Sequence, residues 1–551
     1  MKLTLGLWLS GMILLATGRA AAHQPEKDDL GTIHFVVPGD AARQVQVVRG
    51  VKLLHHMMYV EADRVFAATL REDAGCAFAW WGRAMALVHP LWPDQPDAAA
   101  LKQGADYIGS GLAVTPITAR ERAYLEAMGA YFLGDPGRDH AARLKALDAA
   151  WARVAEQFPE DLDAAAFSAL FHLAPARFLP KDKSYRLQLE AAAIIGGILR
   201  QIPDHPGALH YKVHAYDFPL LAGRALEVCD LYGSLAPAVP HALHMPSHIY
   251  TRRGLWAQSI ELNERSAAEA LKLAAASGTM NSHYLHAGDY LAYAYLQRGQ
   301  YVRVAEIQAR ALALTGPYEA TNRPAMAFAF AAIPARLALE TRDWAAAARL
   351  PLRAPASFPW SDATLYCDSV TRFARALGAV RSGDFAAGRR ELVELEALGR
   401  RLGAAQPNGY WAAQAETQLL AARGWLAFRE GDADAALAAL RRATELEATV
   451  DKEAVTPGEV LPAGELLGEL LGEMGRPREA LAAFAAVLEV SPNRFHSLSG
   501  AALAAEQAGE TARAADYYRQ LLAVAADADP GNRDLEHAKA FLAAQRMPNG
   551  G

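Results

Sequence analysis

Two stretches near the C-terminus are copies of one another. GEMGRPREALAAFAAVLEVSP and EQAGETARAADYYRQLLAVA superpose with Gly475 on Gly509, Ala480 on Ala514 and Phe484 on Tyr518, at a constant offset of 34 residues. A fixed period of this length constrains a chain strongly. Each unit is too small to bury its own apolar face, so it must stack on its neighbours. Segments such as DADAALAALRRATELEA consist of strong helix formers, while runs of Val, Ile and Thr are scarce apart from IHFVV at 33–37. The units therefore read as helix pairs, and the class as all-α. A chain of 551 residues exceeds what one compact core holds, and a repeat array accommodates that length.

The A-x3-F pattern shared by these copies resembles the tetratricopeptide repeat (TPR), a helix–turn–helix unit. Ala62 and Phe66 in YVEADRVFAATLRED match it near the other end of the chain, and RRGLWAQSI, QRGQYVRVA, RSGDFAAGR and REGDADAAL repeat a turn followed by a helix. The resemblance implies a right-handed α-solenoid of stacked antiparallel helix pairs over about 44–525, with the first helix of each pair lining a concave groove. The expected organisation is an N-terminal array at 44–355, a more regular array at 356–530, and a helix end and tail at 531–551. PLWPDQPDAAA (90–100) and RFLPKDKSYR (177–186) read as inserted loops, and ASFPWSDATLY (356–366) separates the halves.

At the N-terminus, one Lys precedes a short apolar run and then small residues, in MKLTLGLWLSGMILLATGRAAA. This pattern predicts a signal peptide at 1–22, a flexible segment at 23–43, and an exported, periplasmic protein with no membrane segment after cleavage. The net charge of −6 is spread without long runs, which argues against a nucleic-acid partner. Cys76, Cys229 and Cys367 are an odd number without CxxC spacing, so neither a disulfide framework nor a thiolate zinc site is expected. The chain lacks GxSxG, GxxxxGK[ST] and HExxH, and has no GxGxxG after a strand, leaving serine-hydrolase, nucleotide and dinucleotide chemistry without support.

The histidines carry the functional signal. Thirteen of the 17 lie between residues 55 and 286. ALHYKVHAYD places His210 and His214 at i and i+4, with Asp217 at i+7. PHALHMPSHIYTRRG places His241, His244 and His248 at i, i+3 and i+7. NSHYLHAGDY places His283 and His286 at i and i+3, with Asp289 three further on. All these spacings keep one helical face. His210 to His244 and His214 to His248 are both 34 residues, one repeat length, while His172 to His210 and His248 to His286 are both 38. Equivalent places on successive helices would then carry a ladder of imidazoles. Imidazoles with few carboxylates suit copper, zinc or iron. The expected ligands are His210, His214, His244, His248, His283 and His286, three per ion on two ions being one arrangement. Asp217, His241, Asp289, His56, His89 and His172 are candidate further ligands or groups that orient the rings. Packing or pH sensing by the same histidines remains an alternative. Pro246 interrupts the second segment and predicts a kink or a helix start there.

These motifs also resemble those of a group of exported bacterial tetratricopeptide-repeat proteins. The likeness runs through LLHHMMYVEADRVF, AWWGRAMALVHPLW, HYKVHAYD, HALHMPSHIYTRRGLWAQSIELN, HYLHAGDYLAYAYLQRG and DKEAVTPGEVLPAGELLGELL. It implies paired histidines of the form HxxxH, HMPxH and HxxH, and it implies no particular activity. MNSHYLH stands where the group's form is closer to PHNxH. Three functional classes follow. One is a metal-dependent oxidoreductase or hydrolase acting on a small molecule. Another is a scaffold holding a peptide in the groove or a protein partner on the C-terminal repeats. The third is a metal carrier or store.

Overall fold

The computed structural model describes residues 30–546 except 180, 181, 407, 408, 452 and 454. The expected signal peptide at 1–22 lies outside the described residues. Among the described residues there are helices and no strand, and the architecture is an all-α TPR-like solenoid. Helices Ala41–His55 and Tyr59–Glu72 form the first pair, and consecutive helices pack on one another through to Arg533–Arg546. Aspartates repeatedly open helices by accepting a backbone N–H, as Asp40, Asp161, Asp384 and Asp432 do. The aligned Gly475 and Gly509 have φ of 71° and 77° and turn the chain between the helices of a pair, where other residues would be strained.

The A-x3-F pattern has a packing cause. Phe66 lies against Gly50 and Gly82, and Phe484 against Gly468 and Gly500; a Cβ on any of these glycines would come within 2.7 Å of the ring. In each case one aromatic from a second helix wedges between two first helices, and only glycine leaves it room. The same joint therefore recurs at both ends of the array.

The buried apolar side chains form two large clusters, one running from Leu30 to Leu262 and the other from Leu285 to Ala538. Phe358 and Tyr366, in the segment read as a separator, lie within the second cluster. Part of the stretch 30–40 is tied to the helices. Phe35 is buried among Phe78, Trp81 and Tyr124, and its carbonyl accepts from Gln44 Nε2 at 2.6 Å. The three cysteines are buried and unbridged. No helix among the described residues is long and apolar enough to cross a membrane.

Distant parts of the chain meet around the second histidine region. Trp256 Nε1 donates to the Asn493 carbonyl at 2.8 Å. Buried Arg494 pairs with Glu340 and Glu465 and donates to Tyr293 Oη. The segment Val455–Leu461 lies against helices Ser282–Gln297 and Arg323–Glu340. Tyr290 Oη donates to the Thr456 carbonyl, and Arg336 donates to Thr456 Oγ1 and the Gly458 carbonyl.

Candidate metal centre

Four helices bring the histidines together. Pro206–Tyr216 carries His210 and His214, Pro240–His244 carries His241 and His244, Pro246–Arg252 carries His248, and Ser282–Gln297 carries His283 and His286. Pro246 breaks the middle pair of helices, yet Met245 keeps helical angles, so His244 and His248 still share one face. Two groups of three result: His210, His214 and His241, then His244, His248 and His286. Within each, one ring nitrogen from every residue lies within 4.8 Å of the others. Ring centroids are 4.9 Å apart for His210–His214, 5.0 Å for His210–His241, 4.8 Å for His244–His248 and 4.4 Å for His244–His286. The groups adjoin, with His241–His244 at 6.3 Å and His214–His248 at 6.4 Å.

The outer hydrogen bonds fix which nitrogen carries the proton. His210 Nδ1 faces the His55 carbonyl at 2.7 Å, which can only accept, so Nδ1 is the donor. His244 Nδ1 donates to Asn263 Oδ1 at 2.6 Å; the Asn263 amide is oriented by its own Nδ2, which donates to the Ser259 carbonyl. His248 Nδ1 donates to Asp217 Oδ2 at 2.8 Å, and Arg252 pairs with the other oxygen of that carboxylate. In each ring this leaves Nε2 with its lone pair. Burial, reinforced by the neighbouring rings, pushes His210, His241 and His244 well below the ordinary histidine pKa. They are neutral, the form that binds a metal.

Those lone pairs converge. His244 Nε2 and His248 Nε2 are 2.9 Å apart, and His210 Nε2 and His214 Nε2 are 3.2 Å apart. Where both rings donate through Nδ1, as His244 and His248 do, two Nε2 lone pairs face one another, an arrangement that a cation between them relieves. A tetrahedral ion with nitrogens at about 2.0–2.1 Å sets them roughly 3.3 Å apart, close to this spacing. His241 Nε2 is also buried with no hydrogen-bond partner.

Most of this centre is enclosed, where the sequence suggested an open groove. His210, His241, His244, His248 and His286 are buried; His214 and His283 are partly exposed. Trp92 covers one side, its ring 5.7 Å from His241 and 6.2 Å from His283. Val455 reaches over from the far end of the chain. Between the groups lies a chamber of about 20 Å³, and beyond His214 a cleft of about 170 Å³ with Tyr185, Phe218, Asp217 and Arg177 in its walls. Arg177 pairs with Glu453 at 2.6 Å, and Lys183 with Asp451 at 2.7 Å.

The expected ligand set is thus rearranged. Five of the six residues are grouped, but the sixth place falls to His241, while His283 stands beside it at 5.4 Å between ring centroids. Asp217 accepts the hydrogen bond from His248 Nδ1. Asp289 instead forms a buried ion pair with Arg336, because on its helix it is Tyr290, one residue on, that faces His244 and His248. His56 bonds to Tyr232 and the Leu30 carbonyl, and Tyr232 stacks on His210, so His56 lies one layer behind. His89 bonds to Asp94 and stacks on Tyr59, behind Trp92. His172 bridges Asp148 and Glu190 and joins neither group.

A third compact group, His55, Asp163 and His205, was not anticipated. Its protons are placed differently. His205 Nδ1 accepts the Ala208 N–H as a helix cap at 3.2 Å, so its Nε2 carries the proton and points at Asp163 from 3.4 Å. His55 Nε2 bonds to the same carboxylate oxygen at 2.9 Å. Burial raises the Asp163 pKa, but the two histidines beside it, His55 by a hydrogen bond and His205 by proximity, outweigh it and hold the carboxyl below its usual range. This is a hydrogen-bonded knot with no converging lone pairs.

Fold and histidine groups together make an all-α TPR-like solenoid with a largely buried cluster of histidines. A sequence model of the tetratricopeptide repeat matches residues 417–449. Among solved structures, the chain is similar to human IFIT1, as a dimer with PPP-AAAA, at 12% identity and a TM-score of 0.35, covering 88% of this chain and 91% of that one. It is also similar to the Cut9–Hcn1 hetero-tetramer of the APC/C, at 13% identity and a TM-score of 0.29, covering 92% and 97%. No curated protein matches the chain.

Proposed function

We propose that this protein is an exported metalloprotein that binds two transition-metal ions, one in each group of three histidines. The observation that carries this reading is the convergence of Nε2 lone pairs whose opposite ring nitrogens are committed to donating. All-imidazole ligation favours copper, zinc or iron over magnesium or calcium. Bound there, such ions would act as Lewis acids or activate water or dioxygen. The cleft beyond His214 gives a small molecule access to the first group, and Arg177, Glu453 and Asp451 in its walls are already held in ion pairs. A metal-dependent oxidoreductase or hydrolase fits these features.

The test is elemental analysis of the full chain beside His244→Ala with His248→Ala. The expected result is two ions per wild-type chain and one or fewer in the variant. Wild-type protein that carries no stoichiometric metal and takes up no added copper, zinc or iron contradicts the proposal. Export predicts that cell fractionation finds the protein in the periplasm without residues 1–22.

A second reading rests on the repeat match at 417–449. Tetratricopeptide repeats generally bind peptides or proteins, and this one lies outside the histidine region. The C-terminal repeats would then dock a partner protein, independently of metal. Retention of one partner by metal-free protein is the outcome that supports it.

A further inference from the structure

We infer that the chamber between the two histidine groups binds a single small oxygen ligand, the size of water or hydroxide, held between the two ions. This rests on the metal reading above. The chamber touches both groups, with His214 and His241 on one side and His248 and His286 on the other. A site needs about 10–15 Å³ of such space to hold one water, and this one offers about 20 Å³. That space matches one small ligand, and the larger cleft across His214 suits an organic molecule better.

Asn322 supplies the polar partner. It lines the chamber, is buried, and its side-chain oxygen has no hydrogen-bond partner. It sits at φ 52°, a left-handed conformation that asparagine tolerates better than most residues, just before helix Arg323–Glu340. Its backbone N–H donates to Asp94 Oδ2 at 3.2 Å, and the same oxygen receives His89 Nδ1 at 2.7 Å. A buried acceptor held in this way is costly to leave unpaired, and an O–H of the bound ligand satisfies it.

Val455 sets the size limit. It lines the chamber with an apolar side chain, and the following residues are tied down through Thr456 and Gly458 to Tyr290 and Arg336. A residue some 170 positions from the last histidine of the centre thus decides what reaches the ions.

The experiment titrates full chain loaded with copper(II) with fluoride, azide and imidazole, following the copper absorption bands, after the metal content has been measured. Wild-type protein should bind fluoride and exclude imidazole. Val455→Ala should bind azide about tenfold more tightly than wild type, and Val455→Phe about tenfold more weakly. Crystals of the loaded protein should show an oxygen atom within hydrogen-bond distance of the Asn322 side chain. Imidazole binding as well as fluoride, or a Val455→Ala variant with wild-type azide affinity, overturns the inference while leaving the metal reading intact. Protein that binds no metal overturns both.

Discussion

The knot of His55, Asp163 and His205 and the centre of six histidines lie in the same half of the molecule, and both are compact and mostly buried. They differ in where their protons sit. In the knot, His205 spends its Nδ1 lone pair on a helix cap, and both histidines point at one carboxylate. In the centre, three rings donate outward through Nδ1 to a carbonyl, an amide oxygen and a carboxylate, which turns their Nε2 lone pairs inward. Proximity of histidines alone therefore does not identify a metal site. The acceptors behind the rings do, because they select the tautomer.

The sharpest way to break this comparison is to remove one ring from each group. His210→Ala should weaken metal binding by about 100-fold or more and lower the metal content, because an ion held by three rings loses one. His205→Ala should leave metal content unchanged and cost about 3 kcal/mol of stability, read as the shift in urea midpoint, because it strands part of a buried carboxylate. Equal metal loss in both variants would dissolve the distinction.

A subtler substitution keeps all six rings. Asp217→Asn removes the carboxylate that holds His248 Nδ1–H, and the expected loss is about 10–100-fold in affinity for one ion, measured by competition with a chelator. His56, by contrast, lies behind the centre and reports on acid stability alone. Burial lowers its pKa to about 3. It therefore stays neutral in the folded protein at pH values where the unfolded chain, with a pKa near 6.5, takes up a proton. The resulting stability is complete above about pH 6.5 and is lost as pH falls towards 3, at about 1.4 kcal/mol per pH unit. His56→Gln should flatten that slope by one proton without changing metal content. The smallest effect belongs to His172, which is partly exposed between two carboxylates. His172→Ala should change stability by less than about 0.5 kcal/mol and leave the metal untouched.

The 34-residue register made the repeat fold legible, and also the equivalence of His210 with His244 and of His214 with His248. Those two HxxxH pairs are the ones whose Nε2 atoms converge. Helical spacing said less about which neighbours complete each group. His241 and His283 both fall on suitable faces, and only the packing of four helices chooses His241. Asp289 shares a spacing rule with His286 but meets Arg336 instead, a contact 47 residues away that no local pattern announces. The lid at Val455 and the acceptor at Asn322 come from outside the histidine helices, and the knot at Asp163 joins segments more than 100 residues apart. Such contacts are set by how the solenoid closes on itself, and the period of a repeat carries no record of that.

X-ray absorption at the metal edge, on full-length protein with its metal content determined in parallel, tests the central claim most directly. The account predicts two ions per chain, each with about three imidazole nitrogens at about 2.0–2.1 Å. A chain with no stoichiometric ion, or an ion whose first shell survives His244→Ala with His248→Ala and His210→Ala unchanged, would contradict it.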